Sequence, residues 1–171
     1  MKTNKTSFYK FFITIIFCLL VCPAFLAAQE SEDARSTAEE IEVLLNTKAI
    51  TYAQASRFVL EAANVLAVKD HQEAFNYAIE NGWLPKNVLP DALARLDHIS
   101  LLLMRSFDTS GGIMYTLTKN SRYAYRELIY LNVIQNRADP SMFVSGERLL
   151  FYVNRLIARE EMHEAENRNE S

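Results

Sequence analysis

From residue 36 onward, apolar positions return at spacings of three and four, the pattern of helices with one buried face. Ile41, Leu44 and Leu45 form the first stripe. It follows a Ser36–Glu39 capping box, in which the Ser hydroxyl and the Glu carboxylate each satisfy a backbone amide. A second box, Thr51 to Gln54, opens a helix whose face carries Ala55, Phe58, Val59, Ala62 and Leu66. Asp70 begins a third helix, and Asn81-Gly82 stops it, because glycine takes the left-handed C′ conformation cheaply. Pro85 and Pro90 bracket a connector, after which Leu96, Ile99, Leu102, Leu103 and Phe107 make the strongest stripe in the chain. The stretch 108–120 reads as a long loop, followed by helices near 121–133 and 146–160. Beyond Glu160 there is charge without a stripe, which predicts a fraying tail over 161–171. The expected class is all-α.

The first 28 residues follow a different pattern. Lys2, Lys5 and Lys10 precede an apolar run, Phe11 to Ala28, that ends in small residues before Gln29 and Glu30. A basic start, an apolar stretch and a small-residue end make a secretory signal, with cleavage expected after Ala28 or Ala27. Two alternatives remain open. The run could stay as an uncleaved anchor, although Pro23 interrupts it and a span needs about 20 apolar residues. Cys22 could be lipidated, although Val21 is bulky before it. Residues 29–35 then form a polar leader, and the expected location is the periplasm or cell envelope.

Sliding the chain against itself by 50 residues pairs Ala74 with Ala124, Pro90 with Pro140, Ile99 with Leu149, Leu103 with Val153 and Arg105 with Arg155. A shift of 44 brings Phe58 onto Leu102 and Val59 onto Leu103. The domain over 36–160 therefore reads as three helix–connector–helix units, about 36–66, 70–107 and 121–158, the first with a clipped connector. One such unit cannot bury its apolar face alone; three stacked together close a shared core.

The unit resembles the S-layer homology family in its helix, Gly-plus-aliphatic stop, Pro-containing loop and second helix. The resemblance is carried by AIENGWLP (78–85), ELIYLNVI (127–134), Pro90, Pro140 and AITYAQASRFVL (49–60). It implies three units around a pseudo-threefold axis, with grooves between them that hold cell-wall polymers. The family's Ile-Thr-Arg-Ala-Glu motif is only partly kept. Ile50, Thr51 and Ala53 match, whereas Tyr52 stands for the Arg and Gln54 for the Glu. Arg95-Leu96-Asp97-His98 and Ser145-Gly146-Glu147-Arg148 occupy the corresponding stretches of the other units. The scaffold carries over; the family's polysaccharide contacts do not carry over intact.

Composition narrows the chemistry. Both cysteines, Cys18 and Cys22, lie in the signal segment, so the remainder has neither disulfides nor thiol chemistry. Three of the 18 Lys and Arg and none of the 21 acidic residues precede position 29, which leaves the rest at −6. That balance argues against nucleic acid as a partner, since phosphate binding rests on clustered cations. Phosphate loops, HEXXH and other catalytic motifs are missing from the sequence, so neither an enzymatic activity, a metal nor a cofactor is expected.

The candidate ligand contacts are the polar residues at the second-helix starts: Tyr52, Gln54, Arg95, Asp97, His98, Glu147 and Arg148. Arginines there would pair with carboxylates, and Tyr52 would stack on a sugar. The plainer reading makes all seven ordinary helix caps and first-turn residues. Gly111, Gly112, Met114 and Tyr115 mark the 108–120 loop as a second candidate surface, either functional or folded onto the core. Arg105 and Arg155 read as cations placed near helix C-termini, and Trp83 as core packing. The function implied is a non-enzymatic exported module that attaches to peptidoglycan or another wall polymer. The alternative is an adaptor that binds an envelope protein through the 108–120 loop. Membrane contact is expected only through the signal segment, if it is uncleaved or lipidated.

Overall fold

A computed structural model describes residues 38–67, 70–135 and 138–169. The expected signal sequence, its cleavage site, the polar leader and the Ser36 cap lie outside the described residues. The chain divides into two bodies, Met1–Val43 and Leu44–Ser171. Among the described residues there are seven helices and no strand: α1 (38–46), α2 (Tyr52–Ala62), α3 (His71–Glu80), α4 (Leu96–Ser106), α5 (Ile113–Thr118), α6 (Ser121–Tyr130) and α7 (Gly146–Asn169). None of the described helices is long and apolar enough to cross a membrane.

Local chemistry explains most boundaries. Thr51 and Gln54 form the expected capping box on α2, while the side chains of Asp70 and Asn120 accept amides at the starts of α3 and α6. Five helices end by passing one residue through the left-handed region: Asn64 after α2, Gly82 after α3, Asp108 after α4, Lys119 after α5 and Asn132 after α6. The next amides then fold back, as Trp83 N–H does onto Ala78 and Val133 N–H onto Leu128.

Two elements differ from the sequence expectation. Within the stretch read as a loop, α5 forms over Ile113–Thr118, held by Tyr115, whose side chain is 1 % exposed. The charged tail, expected to fray, continues α7 as far as Asn169.

The core draws on every helix from α2 to α7, with α4 packed on α6 and α2 on α3. Where helices approach closely, Ser56 and Ser100 are fully buried, each donating to the carbonyl four residues back. Such a bond satisfies the hydroxyl without a partner from outside the helix. At the centre, three main-chain hydrogen bonds close a ring. Ile50 N–H donates to Val144 (2.9 Å), Val144 N–H to Ala94 (3.0 Å) and Ala94 N–H to Ile50 (2.8 Å). Each of these residues lies just before the cap of α2, α4 or α7, and none is more than 1 % exposed.

Candidate functional site

The ring brings three helix starts together, and neighbouring connectors satisfy their unpaired amides. For α4, Arg95 N–H donates to the Tyr52 hydroxyl, Leu96 N–H to Met142 and Asp97 N–H to Pro140, while His98 N–H reaches the Asp97 carboxylate at 3.0 Å. All four orphan donors of that helix end are thereby paired. The scheme recurs at α2, where Tyr52 and Ala53 donate to Ala92 and Pro90, and Gln54 N–H to the Thr51 hydroxyl. At α7, Gly146 N–H donates to Thr47 and Arg148 N–H to the Ser145 hydroxyl.

Four of the seven candidate residues meet at the start of α4. Arg95 occupies the cap position, although it has no acceptor to offer and its cation faces the positive end of the helix. Asp97 offsets this by taking the guanidinium through Nε at 3.2 Å and Nη2 at 3.0 Å. From α2, the Tyr52 hydroxyl accepts the Arg95 N–H at 3.3 Å and lies 2.6 Å from His98 Nδ1. The other ring nitrogen, Nε2, lies 3.8 Å from the Asp97 carboxylate.

Burial is the main cause of the electrostatic shifts. It pushes the Tyr52 phenol up, opposed by the Arg95 amide. It also holds the His98 imidazole below the usual histidine value; Asp97 opposes this and Arg95 adds to it. The cluster is therefore a neutral phenol and imidazole beside one ion pair. Its polar atoms are spent mostly on one another, and the part left facing outward is the Arg95 side chain, 42 % exposed.

The remaining candidates fall into place around this cluster. Tyr52, expected to offer a stacking face to a sugar, is only 2 % exposed, because its ring fills the gap between α2 and α4. That expectation is corrected: Tyr52 positions its neighbours from inside. Gln54 is used in the α2 capping box. Glu147 and Arg148 are exposed on α7, and the Arg148 guanidinium meets the Met142 sulfur at 3.2 Å. Met142 belongs to the connector 139–143, whose main chain also pairs with α4, so this connector runs between Arg95 and Arg148. In it the Asp139 carboxylate is held below its ordinary range, chiefly by the Ser141 hydroxyl and then by the Ser141 amide.

In the second candidate surface, Tyr115 is buried and Met114 is half exposed. Gly111 lets the Tyr115 ring lie across the backbone, where a Cβ would come within 2.5 Å of the ring. Arg155 braces the turn after α6 by donating to the Asn132 carbonyl. Trp83 is partly buried, edge-on to Tyr77.

Sequence reasoning missed Gly146. A Cβ there would lie 1.7 Å from the Leu44 carbonyl oxygen, so only glycine lets α7 start against the end of α1. The clipped first connector was the available signal. Among the described residues, no group of three His, Cys, Asp or Glu could hold a metal ion. No family model, curated protein or solved structure matches the chain.

Proposed function

We propose that the chain is exported and serves as a non-enzymatic attachment module of a bacterial envelope. It is built of three units similar to those of the S-layer homology family and engages peptidoglycan or another anionic wall polymer. The observation that carries this reading is the ring through Ile50, Ala94 and Val144. Its members stand 44 and 50 residues apart, the same shifts at which the sequence aligns with itself. The packing of α2 on α3 and of α4 on α6 joins the second helix of one unit to the first helix of the next. In such an arrangement the second-helix starts flank the grooves between units. Arg95 and Arg148, on either side of the 139–143 connector, supply the cations for carboxylate or phosphate groups of the polymer.

The test is retention on purified cell wall. Replacing Arg95 and Arg148 together with Ala should lower retention by about tenfold, the worth of a charge-assisted hydrogen bond. Wild-type retention should also weaken with added salt. Stability should fall by about 1–2 kcal/mol at most, since Arg148 is exposed and the Arg95 side chain is 42 % exposed, although its partner Asp97 is 14 % exposed. A wild-type protein that never pellets with cell wall ends this reading.

A further inference from the structure

The short helix α5 carries an apolar face that nothing in the core uses. Ile113 is 78 % exposed, Leu117 76 % and Met114 50 %, while Tyr115 between them points inward at 1 %. Ile113 and Leu117 are one helical turn apart, and Met114 sits beside them, so the three project as one convex ridge. The helix lies against α6. Its start, at Gly111 and Gly112, meets the Glu127 side chain, and its end turns through Lys119 and Asn120 directly into Ser121. The two helices therefore run antiparallel, and exposed residues of α6 flank the ridge.

Charge separates this surface from the rest of the chain. Between Asp108 and Glu127 there is no acidic residue, and Lys119, Arg122 and Arg126 are all exposed. The half-buried Glu127 stands at the Gly112 end of the ridge, opposite Lys119. The chain as a whole is net negative. Lys119 is fixed at the end of the ridge, its ammonium 4.7 Å from the Tyr115 ring centre. An apolar ridge beside a basic margin suits an interfacial helix, in which aliphatic groups enter the acyl boundary while cations stay among anionic headgroups.

We propose that α5 and the adjoining basic residues of α6 form a peripheral membrane contact that seats on an anionic bilayer leaflet. The contact is separate from the Arg95 and Arg148 groove, so the same domain bridges wall polymer and membrane surface. Neither contact requires the other.

The experiment uses full-length protein with Met114→Trp in a Trp83→Phe background, so that the reporter is local, and vesicles of phosphatidylglycerol mixed with phosphatidylcholine. The reporter should shift to the blue and be quenched by brominated acyl chains, with little response to phosphatidylcholine alone. Adding Ile113→Ser and Leu117→Ser should weaken this response by at least about tenfold. Both residues are exposed, so circular dichroism should stay at wild-type values. Neutralising Lys119, Arg122 and Arg126 to Gln should weaken it as well, and added salt should reproduce that loss. A reporter that stays in water while the protein floats with vesicles assigns binding to the N-terminal apolar run and overturns the proposal. So does capture of a single envelope protein by the ridge without any vesicle response.

Discussion

Tyr52 sets the start of a helix to which it does not belong. Its hydroxyl accepts the Arg95 amide and shares a hydrogen bond with His98 Nδ1, so one side chain of α2 fixes both the cap and the third residue of α4. The sequence marked Tyr52, Arg95, Asp97 and His98 because all stand at helix starts. That the tyrosine turns inward was not legible, since an aromatic at a first helical position serves core and surface equally well. Burial lowers the His98 pKa in the folded protein, whereas the unfolded chain protonates near the usual value of about 6.5. As pH falls below that value, the unfolded state binds more protons and stability declines until folded His98 protonates too. Above it, the contribution is fully present. An NMR titration should place His98 below 6.5. Tyr52→Phe should cost about 1–2 kcal/mol, because it leaves a part-buried amide without its acceptor. A His98 that titrates at or above the usual value would contradict the arrangement.

At the scale of elements, caps and stops were legible where side chains act locally, as with Thr51 and Gln54 or with Gly82. The helix α5 was not. Its six residues include three β-branched ones behind two glycines, and burial of Tyr115 holds it rather than any local preference. The end of α7 was misread for the opposite reason. It has no apolar stripe, yet Glu, Arg, Met and Ala extend a formed helix readily once its nucleus exists. Gly146 shows how a clipped connector constrains a helix start. Gly146→Ala should destabilise the fold by about 2–3 kcal/mol, because the added methyl meets main chain that cannot yield. At Gly112 the obstacle is only the Glu127 carboxylate, the mobile end of a side chain. There the alanine should cost less than about 1 kcal/mol. Denaturant titrations of the two variants make the comparison, and equal effects would show that α7 does not pack on Leu44 as described.

For the body as a whole, the ring of main-chain bonds has consequences that no single helix carries. The shifts of 44 and 50 could be read from the sequence, but a closed ring could not. Equal spacing of helices is equally consistent with an open stack. In an open stack each unit touches only its neighbours, and end units can melt first. Closure through Ile50, Ala94 and Val144 ties the starts of α2, α4 and α7 to one another. Unfolding should then be a single transition. Trp83, the only tryptophan, packs beside α3 and reports that region alone, whereas far-ultraviolet circular dichroism reports every helix. The two signals should fall together in urea. Leu103 and Val153, both buried, lie in α4 and α7. Leu103→Ala should shift the shared midpoint by about 2–5 kcal/mol, and Val153→Ala by somewhat less for its smaller side chain. Neither should split the curve. If Val153→Ala leaves the Trp83 transition in place while the helical signal loses amplitude early, α7 melts independently and the ring does not couple the units.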